Sequence, residues 1–260
     1  MSREGPKGSY AAPALEKAFE IIELLANHPD GALVSEMAVE LGRSVGELFR
    51  IVIVMEKLGY LQKSPRTDRY TVAYKILDLA YRATPAQHLS RAAMPAMQAL
   101  ARTVGQSCHL VVRDGGRGLV IAREENPDTR GFALKLGASI DLLKSCSGQI
   151  ILAFSPAGEV ARMIDVAEAA NGTPVDRAAL LPKLDAVRAR GFDVRPSPIT
   201  HGVTDMSFPI FGFDGGLAAA LTIPFLELID GSQRVGIEEG REHLRQAAHA
   251  ISTTLGYHAG

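Results

Sequence analysis

Three groups of residues in this 260-residue chain are of types that do chemistry. The first is Cys108 and His109, adjacent to each other, with Cys146 and His201 further along. A thiol and an imidazole can act as nucleophile and base. Cys108 and His109, however, sit in the alternating stretch SCHLVVRD, and neighbours on a strand point to opposite faces, so they cannot serve each other. Cys146 could meet His109 or His201 only through the fold. A small-molecule hydrolase using Cys146 or Cys108, with the N-terminal part as a docking module, is therefore kept as the alternative. Cys108, His109, Cys146 and His201 lack the compact spacing of a zinc site, so core cysteines and a hydrogen-bonded core histidine are expected. GxGxxG and P-loop patterns are absent. No catalytic residue, cofactor or metal is predicted.

The second group lies in GRSVGELFR, residues 42–50, with an arginine near each end. Arginine is the side chain best suited to guanine or phosphate. Ser44 followed by Glu47 has the spacing of a capping box, which starts a helix at Val45 and turns the Glu47 carboxylate back to the helix start. Gly46 leaves room for close approach. Arg66 and Arg69 follow in a hairpin turn, where phosphate or minor-groove contact would suit them. The third group is the loop SCSG, Ser145 to Gly148, leading into an apolar helix; exposed amides at a helix start favour an electron-rich oxygen.

The elements that must position these residues can be read from the pattern. Residues 14–27 form a first helix with Leu15, Phe19, Ile22, Leu25 and Ala26 on one face. A second short helix, 35–42, has Ser35 as N-cap, Met37, Ala38 and Leu41 inward, and Gly42 at its end. In the third, Leu48, Ile51, Val52, Met55 and Leu58 recur at helical spacing and Gly59 stops it. Two short strands around Pro65–Asp68 complete a winged helix-turn-helix, in which the N-terminal residues of the third helix reach base edges. The DNA-facing candidates are Ser35, Arg43, Ser44, Val45, Gly46, Glu47, Arg50, Arg66 and Arg69. Two helices follow: 74–85, ending at Pro85, and 88–105, which Pro95 kinks or splits and whose stripe is Leu89, Ala93, Met97, Leu100 and Val104. After Gly105 come a hairpin around Asp114-Gly115-Gly116, a strand GFALKL (131–136), three helices, strands FDVRP and DMSFPIF to LTIP, and a last helix near 237–255. Strands and helices segregated in this way predict an α+β domain with an antiparallel sheet.

Charge is uneven although the net charge is only −1. Pro13 to Glu40 carries six acids against one base, and Lys57 to Lys75 five bases against one acid. A neutral chain with one basic edge can bind phosphate there. The opening MSREGPKGSYAAP reads as a loose tail rather than a signal peptide, and no apolar run approaches the roughly 20 residues of a membrane span. Two cysteines make no disulfide framework, which points to the cytoplasm.

From Ala14 to Tyr257 the chain resembles the IclR (isocitrate lyase regulator) family of bacterial transcriptional regulators. The marks are ALEKAFEIIELLANHPDGALVSEMAVELG, FRIVIVMEKLGYLQKSPRTDRYTV, GASIDLLKSCSGQIILAF, RARGFDV, HGVTDMSFPIF and GGLAAALTI. The resemblance implies a disordered tail (1–13), a winged helix-turn-helix (14–73), a linker helix (74–87) and a GAF/PAS-like effector domain (88–260). It implies homodimers or homotetramers on palindromic operators in double-stranded DNA, no membrane partner, and a small metabolite modulating a regulator that is more often a repressor. By position it places the recognition helix at Ser44 to Arg50 and the effector pocket at Phe132, Ile140, Cys146, Ser147, Arg195, Val203, Asp205 and Thr222, with Ser145 beside them in the loop. The chain departs from the family where a common Ser-Thr pair is Gly46-Glu47, a Gly-Lys pair is Gly148-Gln149, a frequent cysteine is Asp205, and an often acidic position is Arg195. Asp205 near Arg195 favours a polyol, sugar acid or zwitterion as effector over a short apolar acid, within the wider expectation of a sugar acid, polyol or other small organic acid.

Overall fold

The sequence pattern changes after Gly105, and the division in space falls earlier. In a computed structural model, which describes residues 12–83, 86–128 and 131–258, the chain divides into two compact units, one through residue 84 and one from residue 85.

The first unit contains α1 (Pro13–Ala26), α2 (Val34–Glu40), α3 (Val45–Lys57), β1 (Leu61–Lys63), β2 (Tyr70–Val72) and α4 (Lys75–Ala83). Its core gathers Ile21, Leu25, Met37, Leu48, Val52, Met55, Leu61 and Tyr70. The β-branched run of α3 is helical because burying Val52 between Leu48 and Met55 outweighs the small propensity cost of Ile and Val. The turn between α2 and α3 is held by the Arg43 amide reaching Ala38 O (2.9 Å), with Gly42 at φ 62 supplying the left-handed residue that ends α2. β1 and β2 pair antiparallel, forming the wing.

Several expectations need correction here. The α1 face is rotated: Ile21 and Leu25 are buried, whereas Leu15 and Phe19 are each 57% exposed. Leu58 is 54% exposed, because it is the C-cap of α3 and has turned out of the stripe. Ser35 is not the cap of α2; the helix starts one residue earlier, after Leu33, whose amide is taken by the Glu36 carboxylate (2.9 Å). Ala12 and Pro13, assigned to a loose tail, are the N-cap and first residue of α1; the rest of that tail lies outside the described residues, as does the expected stop at Pro85.

The second unit contains α5 (Ala86–Val104), β3 (Cys108–Asp114), β4 (Arg117–Glu124), β5 (Ser139–Asp141), α6 (Cys146–Phe154), α7 (Ala157–Asn171), α8 (Arg177–Arg190), β6 (Asp193–Pro196), β7 (Val203–Phe211), β8 (Leu217–Leu226) and α9 (Ile237–Thr254). The strands form one antiparallel sheet, ordered β5-β4-β3-β8-β7-β6. Strand alternation sorts the sheet into two faces. Cys108, Leu110, Met206, Phe208, Leu221 and Ile223 meet α5 and α9 on one face. Val111, Val120 and Ala220 meet α6, α7 and α8 on the other. The architecture is α+β with a central antiparallel sheet, as the sequence predicts. Pro95 does not split α5, which runs unbroken through it. GFALKL is not a strand: pairing to β4 resumes only at Gly137, whose amide reaches Val120 O (2.9 Å), and β5 takes the edge.

Candidate functional site

The first candidate site is the start of α3. Ser44 caps it, its Oγ accepting from the Glu47 amide at 3.3 Å. The Glu47 carboxylate bonds mainly to the Lys17 ammonium of α1 and only secondarily to the Ser44 amide, and the lysine holds its pKa below the ordinary carboxylate value. The capping box is thus half diverted into a tie between α1 and α3. Of the arginines and lysines this region could offer DNA, three are already committed. Arg43 is paired with Glu20 (3.2 Å). Arg69 does not stand free on the wing: it chelates the Glu36 carboxylate with two 2.8 Å bonds and donates to Gly31 O at 2.9 Å, fastening β2 to α2. Lys63 is paired with Asp68 (2.8 Å). By contrast, Arg50 and Arg66 are exposed and make no hydrogen bond or ion pair among the described residues. Ser35, Val45 and Gly46 are exposed, and a Cβ placed on Gly46 would meet nothing within 4 Å.

The second candidate site is a cavity of about 90 Å³ on the α6 face of the sheet. Its fixed wall is the loop into α6. Asp141 accepts from the amides of Leu143 (2.8 Å) and Lys144 (3.3 Å). Ser145 donates to Asp141 O (2.6 Å) and accepts from the Gly148 amide (3.0 Å), capping the helix. A Cβ on Gly148 would lie 2.5 Å from the Leu142 backbone, so only glycine lets α6 sit this close. The amides of Cys146 and Ser147, first in the helix, have no intrahelical acceptor, and both residues line the cavity. Strand alternation supplies the floor: His109, Thr222, Pro224 and Asp205 share one face, with Ser207 Oγ and Thr222 Oγ1 at 2.8 Å.

Of the residues expected to form a pocket, Phe132, Ile140, Ser145, Cys146, Ser147, Asp205 and Thr222 line this cavity, and Arg195 and Val203 do not. Arg195 lies opposite Asp205 in the β6–β7 register, but its Nε donates to Asp193 (2.6 Å). Asp193 is buried and also takes Arg190 (2.5 Å). Val203 is buried at the start of β7. Asp205 is thus left without a direct arginine partner, and burial pushes its carboxyl up to about 6 despite a bond from Ser197 and the field of Arg195. Residues that the sequence reading did not place here include Leu134, Ser139, Asp141, Ser197, Pro198, Ile199 and above all His109. Its Nδ1 is buried without a partner, so the expected hydrogen-bonded core histidine is incorrect; burial lowers its pKa to about 4 and keeps the ring neutral. The available signal was its alternation with Cys108 on β3, which assigned the two to opposite faces.

The thiols do not form a nucleophile. Cys146 donates to Asp193 O (3.2 Å) and Asp205 O (3.4 Å), and burial pushes its pKa well up. Cys108 points to the other face, towards Met97 O (3.6 Å), with its pKa pushed up to about 12. Thiolate, the reactive form, is suppressed at both. His201 is exposed in the β6–β7 loop and does not line the cavity.

Comparison with known proteins bears on the family and the fold. The model of the IclR helix-turn-helix domain matches residues 14–65, and that of the bacterial transcriptional regulator IclR C-terminal matches residues 81–253. The HTH-type transcriptional regulator KdgR of Escherichia coli (strain K12) is 26% identical over 93% of this chain and 92% of its own. The DNA-binding transcriptional repressor YiaJ of the same organism is 22% identical over 99% and 92%. An IclR homolog from Microbacterium hydrocarbonoxydans, solved in complex with 4-hydroxybenzoate, shares the fold with a TM-score of 0.74 and 22% identity, covering 93% of this chain and 98% of that one.

Proposed function

This chain belongs to the IclR family of bacterial transcriptional regulators, and on that footing we propose how its two units divide the work. It is a DNA-binding regulator rather than an enzyme. The first unit enters the major groove with the start of α3, where Arg50 reaches a base and Arg66 on the wing reaches phosphate. The observation that carries this reading is the unpaired state of Arg50 and Arg66 while Arg43, Lys63 and Arg69 are neutralised within the unit. Arg43 and Arg69 then act as supports that hold α3 and the wing in place. The palindromic operator implies at least a homodimer, since two recognition helices must meet half-sites about one helical turn apart. DNA as the partner places the protein in the cytoplasm.

The second unit, a GAF/PAS-like sensor, binds the effector in the cavity on the α6 face. At roughly 10–15 Å³ per water-sized atom, about 90 Å³ suits a ligand of about six to nine non-hydrogen atoms. No arginine or lysine lines the cavity, while Asp141 and Asp205 do. That balance favours a polyol or a compact hydroxy acid over a multiply charged acid. Hydroxyls of the ligand would bond Asp205 and Thr222 and pack on the neutral ring of His109; an acid group, where present, would sit at the start of α6, on the Cys146 and Ser147 amides. The effector acts by linkage: it releases DNA if it binds the arrangement with lower operator affinity more tightly, which makes the protein a repressor relieved by its ligand.

The test is a gel shift on fragments upstream of the protein's own gene at several salt concentrations. A salt-sensitive, sequence-specific shift is expected, lost in Arg50→Ala with the fold intact and weakened by a cavity ligand found in a thermal-shift screen of polyols and hydroxy acids. Wild-type operator affinity in Arg50→Ala would remove α3 from the interface. A ligand response unchanged in His109→Phe would remove the cavity.

A further inference from the structure

The outward side of α3 is largely apolar. Val45, Phe49 and Ile53, four residues apart, form one row, 50%, 49% and 40% exposed. Gly46 and Arg50 form the row beside it. The opposite side is the buried stripe of Leu48, Val52 and Met55. Glu47, the acid of the first turn, is drawn aside to Lys17 on α1. Between Ser44 and Lys57 the outward side therefore presents one hydrogen-bonding head, the unpaired Arg50, among four exposed apolar side chains: the row of three and Val54, one turn beyond the arginine.

We propose that α3 reads thymine 5-methyl groups next to a guanine, with Val45, Phe49 and Ile53 packing on the methyls and Arg50 bonding the guanine. This rests on α3 being the recognition helix. The argument is one of complementarity. In the major groove, guanine shows two acceptors, cytosine and adenine an amino donor, and thymine an acceptor with a methyl. Apolar side chains pressed on an amino group or on N7 would strip it of water and return nothing. Pressed on a methyl they remove apolar surface from water on both partners. Gly46, with open space where a Cβ would stand, lets the helix start approach closely enough for short contacts. Arg50 supplies the fork that fits guanine O6 and N7, and no acid on α3 competes for it. An apolar row on a soluble unit otherwise marks a protein contact. The unpaired arginine alongside it makes DNA the occupant argued for here, and coverage by a second copy of the chain is an outcome the experiment detects.

The experiment uses the full-length protein. Duplexes are selected from a random library, and binding to the selected sequence is then measured with each thymine replaced singly by uracil, which removes the methyl and leaves the pairing. The expected half-site has thymines next to a guanine. Uracil at those thymines weakens binding about fourfold for each methyl contacted, and uracil outside the site is silent. Phe49→Ala, with its melting checked for an intact fold, loses the uracil sensitivity at one position and keeps the requirement for guanine; Arg50→Ala loses the guanine requirement. Equal affinity for thymine and uracil duplexes overturns the proposal. So does uracil sensitivity that persists in Val45→Ala, Phe49→Ala and Ile53→Ala alike, or a Phe49→Ala variant that dissociates into monomers with its sensitivity intact, which would assign the row to a second copy. If no sequence is enriched at all, the recognition-helix reading fails together with this one.

Discussion

Replacing Asp205 by asparagine tests the electrostatics of the cavity directly. Its carboxyl is half-buried beside Ser197, lacks a direct arginine partner, and titrates at about 6 in the folded chain against an ordinary 3.8. A folded pKa above the unfolded one means that the native state holds the proton more tightly. Below about pH 4 the group is protonated in both states and costs nothing. As pH rises from 4 through 6 the native state pays progressively to ionise it, and above 6 the destabilisation is complete. A shift of about two units corresponds to an upper limit of about 3 kcal/mol. Screening of a partly exposed group reduces this to about 1 kcal/mol. Asp205→Asn keeps the shape and cannot ionise, so it should be more stable than wild type at pH 7.5 by about 1 kcal/mol relative to their difference at pH 4.5. The assay is thermal unfolding of both proteins across that range, following the transition that the substitution moves, since the two units need not unfold together. All other titrating groups, His109 included, cancel in the difference. A difference between the two proteins that does not change with pH would show the carboxyl to be fully hydrated, and the argument from an uncompensated acid in the cavity would fail.

Three other outcomes are expected. Arg66→Ala should weaken binding uniformly across operator sequences and lower the slope of log affinity against log salt by about one, because the wing arginine is assigned to phosphate; a changed sequence preference would contradict that. Gly148→Ala should destabilise the second unit by about 1–3 kcal/mol in chemical denaturation, because the new Cβ meets the Leu142 backbone at 2.5 Å, whereas Gly46→Ala, whose Cβ meets nothing, should leave the first unit's melting unlowered. Both cysteines should resist a thiol-specific reagent in the native protein and react on unfolding, since both are buried with pKa values pushed up; rapid native labelling of Cys146 would reopen a nucleophilic role.

The order of elements was written in the chain because it depends on short-range rules. The Ser44 cap, the three-and-four spacing of Leu48, Val52 and Met55, the wing turn at Pro65–Asp68 and the alternation of β3, β7 and β8 are each set within a few residues. A winged helix-turn-helix followed by an α+β domain followed from them, and so did the separation of Cys108 from His109. GFALKL shows the limit of that legibility: its alternation suits a strand, but the segment makes no ladder with β4, whose paired edge goes to β5 at Arg117–Leu119. Leu15 and Phe19 show it again, since a helix face can be located by periodicity while its rotation by a fraction of a turn depends on the neighbours.

What tertiary structure alone decided is who partners whom. Arg43, Arg50, Arg66 and Arg69 look alike in sequence, and only the fold brings Glu20 to the first and Glu36 to the last while leaving the other two unpaired. Arg195 stands two residues from Asp193 and across from Asp205, and the geometry gives it to Asp193. His109 carries no mark that separates a bonded core imidazole from one whose buried Nδ1 has no partner. These assignments depend on distances between residues remote in sequence, over which electrostatic and hydrogen-bond energies change steeply, whereas the elements themselves depend on spacing along the chain.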